Sequence, residues 1–164
     1  MKPTRQISPS GTYFVTFSTW QRCQLFVVEN YARLFLKVLY GYRREEKYRL
    51  HAFILMPEHV HLLITPRGIT LERTVQLIKG GYSRAFGLAF RSGEVWHRGF
   101  TDHRIRNAED FANHREYISR NPVQRMLVQN SAEYRYGSDF PGYRLDRWPP
   151  AAEAASTQAL VRHD

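Results

Sequence analysis

Two β-rich runs stand almost back to back in this chain, and together they limit how it can fold. Tyr48 to Met56 carries Leu50, Ala52 and Ile54, and a second run extends from His59 to Thr65, with only Pro57-Glu58 between them. So short a link makes an antiparallel hairpin the simplest arrangement. Residues two apart in a strand share a face, so His59 and His61 present their imidazoles side by side. Val60 and Leu62 point the other way and anchor the strand. On strict alternation Glu58 faces away from His59, and it is not counted as a ligand.

The elements around the hairpin follow from periodicity and caps. Gly11 to Thr19 alternates Tyr13, Val15 and Phe17 with Phe14, Thr16 and Ser18, which reads as a strand. From about Glu29 to Glu46, Leu34, Phe35, Val38, Leu39 and Tyr42 recur at helical spacing, with Arg33, Lys37, Arg43 and Arg44 on the far face. Thr70 is a plausible N-cap for a helix bearing Leu71, Val75, Ile78, Tyr82 and Phe86, and Gly80-Gly81 predicts a kink in it. A fourth strand is expected within Trp96 to Arg106. Asn107, followed by Glu109 and Asp110, suits a last helix start, and Pro122 predicts a stop near Asn121. The order strand, helix, strand, strand, helix, strand, helix is a split β-α-β arrangement. The fold class is α+β, ferredoxin-like, an antiparallel sheet of about four strands with helices packed on it.

With 164 residues and 43% hydrophobic content, one domain with a real core is expected. Residues 1–10 read as a short basic arm, 11–140 as the main folded domain, and 141–164 as a flexible tail rich in proline, glycine and alanine. No run approaches the apolar length of a membrane span, so no membrane partner is expected. Cys23 is the single cysteine, which excludes an internal disulfide and a multi-cysteine zinc site and suits a reducing cytoplasm.

The net charge of +9 and pI near 10.0 call for a polyanionic partner, nucleic acid first. Only Lys2, Lys37, Lys47 and Lys79 are lysines among the 24 basic residues, so arginine dominates. Its planar fork matches phosphate oxygens and stacks on bases, although a GC-rich genome would also favour arginine.

Neutral imidazole is a common ligand for divalent metals, so His59 and His61 are candidate ligands, although His-x-His alone also describes half-buried or surface histidines. Tyr117 and Asn121, four apart, share a helix face. The Asn121 side-chain oxygen could complete a His-His-Asn set while Tyr117 stands one turn away. A tyrosine hydroxyl is a poor nucleophile, and it needs a phosphate already neutralised by a cation. Taken singly, Tyr117 reads equally as a core tyrosine and Asn121 as a C-terminal cap. His103 is a candidate for active-site support or an ordinary strand histidine, whereas His97 and His114 read as surface or cap residues. Lys79, Arg104 and Arg106 are candidate phosphate contacts, and Trp96, Tyr13 and Phe17 are candidates for stacking on unpaired bases or for the core.

The His-hydrophobic-His pair and the later Tyr117-x-x-x-Asn121-Pro122-Val123 resemble the single-tyrosine HUH transposases of bacterial insertion sequences. The nearest branch is that of the REP-associated tyrosine transposases. Phe53 to Leu63, Trp96 to Asn107 and Tyr134 to Ser138 carry the likeness in order, from about Gly11 to Ser138. The resemblance implies that His59, His61 and Asn121 hold a divalent metal, Mg²⁺ or Mn²⁺. It implies that Tyr117 attacks a phosphodiester in single-stranded or hairpin DNA, such as palindromic repeat ends, giving a 5′-phosphotyrosine and a free 3′-hydroxyl. It also implies a bacterial, nucleoid-associated cytoplasmic protein, either a homodimer or a single-chain form. The alternatives are a rolling-circle initiator, a metal-dependent nuclease using water, and a non-catalytic ferredoxin-like module binding nucleic acid through strand aromatics.

Overall fold

The computed structural model describes residues 10–150. Its elements are β1 (Tyr13–Ser18), α1 (Glu29–Arg44), β2 (Tyr48–Leu55), β3 (His59–Pro66), α2 (Leu71–Ala89), β4 (Thr101–Arg104) and α3 (Ala108–Gln124). The sheet order is β2-β3-β1-β4 with every neighbouring pair antiparallel, the split β-α-β order expected.

Alternation divides the sheet into two unlike faces. Tyr13, Val15 and Phe17 of β1, and Val60, Leu62 and Ile64 of β3, join the α1–α2 side in one large core with Phe35, Leu39, Ile78, Tyr82 and Phe86. A smaller cluster on the opposite side gathers Ala52, Ile54, Met56 and Leu63 with Ile118 of α3, and Phe14 and Phe111 pack against it. Because β3 is covered on both sides, it is buried along nearly its whole length. A bulge at His51 shifts the β2–β3 register between Leu50 and Ala52, which keeps Leu50 and Phe53 on the same side.

Three expectations are corrected. α2 runs unbroken through Gly80-Gly81. Gly81 serves close approach instead: a Cβ there would lie 2.5 Å from the Tyr42 hydroxyl of α1. α3 does not stop at Asn121 but continues through Pro122 to Gln124, with Arg125 N donating to the Asn121 carbonyl at 3.1 Å. Proline removes one donor and disfavours helical geometry at Asn121, but this close to the helix end only the last turn bears that cost.

The third correction concerns the segment after Gly142. The Arg43 guanidinium donates to both Asp146 oxygens at 2.9 and 3.0 Å, and Leu50 N donates to the same carboxylate at 2.8 Å. Asp146 N in turn donates to the Leu50 carbonyl at 2.7 Å. Trp148 stacks on Phe111 with ring centroids 4.6 Å apart and donates to Thr12 Oγ1 at 2.9 Å. Gly142–Pro150 is therefore pinned beside β2 rather than loose. The remainder of the expected tail, 151–164, and most of the basic arm, 1–9, lie outside the described residues.

Asp146→Ala should destabilise the protein by about 2 kcal/mol, since it removes charge-assisted bonds and leaves Arg43 half-buried without them. Thermal melting should fall by several degrees, and an unchanged midpoint would show that this segment does not hold the fold.

Candidate active site

The α3-facing side of the sheet brings the histidines together. Ser18 pairs with His59 and Thr16 with His61 across β1–β3, while Phe14 pairs with His103 across β1–β4. His59 Nε2 and His61 Nε2 are 3.1 Å apart. Two ligands each about 2.1 Å from one ion subtend that separation at roughly 95°, an ordinary coordination angle. The other ring nitrogens are engaged: His59 Nδ1 with Glu58 Oε1 at 3.0 Å, and His61 Nδ1 with Thr16 Oγ1 at 2.6 Å. Held at Nδ1, each imidazole is oriented to offer Nε2, the arrangement in which histidine serves a cation.

Electrostatics favour the neutral, ligating form. Burial lowers the pKa of His61 to about 3, with His59 adding to the effect. Burial also lowers that of His59, although the Glu58 carboxylate pulls the other way. Burial alone would raise the Glu58 carboxyl, but the Arg125 hydrogen bond and His59 outweigh it and hold the group below the usual range.

Glu58 corrects the strand-alternation reading. It belongs to the turn before β3, with Met56 N bonded to the His59 carbonyl at 2.9 Å, so strand parity does not apply to it. Its side chain is only 7% exposed and takes Arg125 Nη1 at 2.8 Å and Nη2 at 3.3 Å. The signal available in the sequence was Pro57, which marks a turn rather than a continuous strand.

α3 lays its face across the same region. Tyr117, Asn121 and Arg125 recur at helical spacing, and the two outer members are fixed at either end. The Tyr117 ring stands 5.3 Å from the His61 ring and 5.8 Å from Phe14, centroid to centroid. Arg125, one residue past the helix, grips Glu58 beside His59. Asn121, 8% exposed, lies between these two anchors on the helix. Tyr117 is 48% exposed, so its phenol is open to a ligand approaching from solvent.

A second histidine group adjoins the first, with Phe14 between them: its ring lies 5.2 Å from His61 and 4.9 Å from His114. His103 Nε2 meets Asp110 Oδ2 at 2.8 Å, His114 Nδ1 meets Asp110 Oδ1 at 3.1 Å, and the two imidazoles stack 4.6 Å apart. Burial would raise the Asp110 carboxyl, yet the Arg106 amide and His103 hold it below the usual range. The three residues offer ligand atoms all within 4.8 Å of one another, so they too could hold a cation. His114 is thus part of this group rather than a surface or cap residue, whereas His97 is exposed.

The candidate phosphate contacts are placed unequally. Lys79 directs its ammonium to the carbonyls of His97 at 3.0 Å and Gly99 at 2.7 Å, and burial lowers its pKa. Arg104 is exposed and donates to the Ser10 carbonyl at 2.8 Å, and Arg106 is exposed beside Asp110. Tyr13, Phe17 and Trp96 are 2%, 2% and 8% exposed within the main core, so of their two readings the core holds and base stacking does not.

The buried neutral histidines set a pH dependence. His61 titrates lower in the folded chain than its ordinary 6.5, so the unfolded chain takes up protons that the folded one refuses. Stability is therefore complete above about pH 6.5 and is lost as pH falls toward about 3. From pH 7 to 5 the loss from His61 alone should be about 2 kcal/mol. Urea unfolding with a chelator present should show it, with a smaller loss in His61→Asn; identical losses would contradict a buried neutral imidazole.

Comparison with known proteins bears on the family and the fold. Residues 8–121, most of the chain, match the family described as Transposase IS200 like. A REP-associated tyrosine transposase of Escherichia coli (strain K12) is 27% identical over 130 residues, covering 78% of this chain and 76% of that protein. Among solved structures, a REP-associated tyrosine transposase bound to a REP hairpin superposes with a TM-score of 0.68 at 23% identity, covering 90% of this chain and 95% of that one. A structure from Deinococcus radiodurans gives a TM-score of 0.52 at 23% identity over 72% of this chain and 95% of its own. These likenesses show a shared fold, and the extent of the family match shows more: the chain belongs to the IS200-like transposase family.

Proposed function

We propose that this transposase cleaves and rejoins single-stranded or hairpin DNA through a 5′-phosphotyrosine formed on Tyr117. The observation that carries the reading is the Tyr117 ring 5.3 Å from His61, one of two imidazoles whose Nε2 atoms converge. The relative bound to a REP hairpin supports a folded palindrome as the substrate class. Tyr117 and the histidine pair come together within one chain, which favours a site complete in a single protomer.

His59, His61 and Asn121 would hold the divalent cation, Mg²⁺ or Mn²⁺. When bound, it would supply Lewis-acid polarisation of the scissile phosphate and neutralise its charge. Glu58 and Thr16 keep the two imidazoles turned toward it. The half-exposed Tyr117 phenol loses its proton and attacks phosphorus. The tyrosine O–P bond forms, the P–O3′ bond breaks, and the departing oxygen takes up a proton as a 3′-hydroxyl. Because the tyrosine ester retains the phosphodiester's bond energy, a 3′-hydroxyl can reverse the step and seal a strand without ATP. His103 shares the histidine face of the sheet and would support the site, and Arg104 and Arg106, exposed on and just after β4, would meet phosphates of the flanking strand. Lys79 would contribute by positioning the 97–99 segment, with any phosphate contact secondary to that. No helix among the described residues is long and apolar enough to cross a membrane.

A labelled single-stranded or hairpin oligonucleotide with Mn²⁺ should give a covalent protein–DNA species on a denaturing gel. The species should require metal and vanish in Tyr117→Phe and in His61→Ala. Cleavage that survives Tyr117→Phe without an adduct would replace this reading with a water-activating nuclease.

Glu58→Gln should keep the nucleophile but raise the Mn²⁺ concentration needed for half-maximal cleavage by about 10- to 100-fold, the usual penalty for losing a ligand's supporting carboxylate. An unchanged metal requirement would remove Glu58 from that role.

A further inference from the structure

The aromatic side chains nominated from strand periodicity are buried, so an unpaired base needs another surface. Among the described residues only three aromatics are exposed: Trp20 at 40%, Phe90 at 41% and Tyr117 at 48%. Phe90 packs at the end of α2 against Tyr31 and Phe86, with ring centroids 4.7 and 5.4 Å away. Trp20 instead follows the end of β1, two residues after Ser18, the register partner of His59.

Its position is fixed by backbone. β1 ends at Ser18, the register partner of His59, and Thr19 N and Oγ1 both donate to the Glu58 carbonyl, at 2.9 and 3.1 Å. Trp20 N then donates to the Val95 carbonyl at 2.9 Å. Gln21 and Arg22 follow with φ of +53° and +52°, two successive non-glycine residues in the left-handed region. L-residues seldom adopt that region, and two in a row require support. Here it comes from Arg22 N to Thr19 O at 3.0 Å, Cys23 N to Trp20 O at 3.1 Å and Thr19 Oγ1 to Cys23 O at 2.7 Å.

The same turn carries a cation two residues after Trp20. Arg22 reaches Ser18 Oγ and Glu58 Oε1, each at a long 3.5 Å, and its side chain remains 64% exposed. Glu58 Oε1 is the atom that holds His59 Nδ1 at 3.0 Å. One carboxylate thus separates the Arg22 guanidinium from the histidine pair. A weakly held arginine and an exposed indole on one short turn offer partners for the two parts of an unpaired nucleotide, its phosphate and the flat face of its base.

We propose that the Trp20–Arg22 turn is a subsite for one unpaired nucleotide of the DNA strand next to the cutting position. Trp20 stacks on the base and Arg22 contacts the phosphate. Stacking reads a π-face that every base has, so the subsite grips the strand without selecting sequence. The inference rests on the reading of the histidine face as a site for single-stranded DNA.

The test is fluorescence anisotropy with short labelled single strands in chelator, which prevents cutting. One strand is intact, and a set carries a single abasic position moved along it. Trp20→Ala should bind the intact strand about tenfold more weakly, and Trp20→Phe should recover most of the loss. At one position the abasic strand should cost the wild type about the same factor and cost Trp20→Ala nothing further. Arg22→Gln should lower the salt dependence of binding by about one phosphate contact. The subsite is overturned if Trp20→Ala binds as wild type, or if its loss is equal against every abasic strand. A protein that forms the Tyr117 adduct with Trp20→Ala binding unimpaired refutes the subsite alone; one that binds no strand and forms no adduct refutes the functional reading beneath it.

Discussion

The Glu58 carboxylate is the junction on which the site depends. It is nearly buried, and a buried charge is tolerable only when opposite charge and hydrogen bonds meet it. Arg125 supplies the charge from beyond the end of α3, His59 supplies a ring N–H from β3, and Arg22 approaches from the turn after β1. The adjacent backbone is tied as well, since the Glu58 carbonyl accepts both groups of Thr19. One residue in a three-residue link therefore couples the strand bearing the histidines to the helix bearing Tyr117 and Asn121. The rest of α3 meets the sheet through a small apolar cluster, the His103–Asp110 bond and the Tyr117–His61 ring contact.

The sheet separates stability from chemistry. One face buries aromatic and branched side chains against α1 and α2, with Phe17, Phe35, Tyr82 and Trp96 packed edge to face or tilted. The other carries the polar series Thr16, His59, His61 and His103 with α3 laid over it. Both sets come from the same strands by alternation. Val60 and Leu62 are held rigidly in the core, and that rigidity passes to the imidazoles beside them in sequence.

The hairpin, the sheet order and the pairing of His59 with His61 were legible because period-two alternation and a short link leave few alternatives. The shared face of Tyr117 and Asn121 was legible for the same reason at helical period, and Asn107 caps α3 as its sequence suggests, accepting from Asp110 N at 2.8 Å. What stayed hidden depends on contacts between distant segments. Nothing local to Asp146 announces that Arg43 and Leu50 await it across the fold. Nothing near His114 reveals His103 stacked on it from β4. Glu58 was misplaced because strand parity was extended one residue into a turn. For Tyr13, Phe17 and Trp96 both base stacking and the core stayed open, because periodicity says which residues share a face and not which face meets water.

The distribution of exposure bears on how such a site could work. The imidazoles are buried and kept neutral, whereas the phenol stands half in solvent on the opposing helix. A cation held by the pair would lie beside a carboxylate whose charge is already matched, since Glu58 is paired with Arg125. Its charge would then be left for the phosphate. A phosphodiester entering from the open side would complete the site by bringing its own oxygens to the cation and its phosphorus toward Tyr117. On this arrangement the buried half is preorganised by the fold, and the exposed half is the one part that a DNA strand must be able to reach and leave.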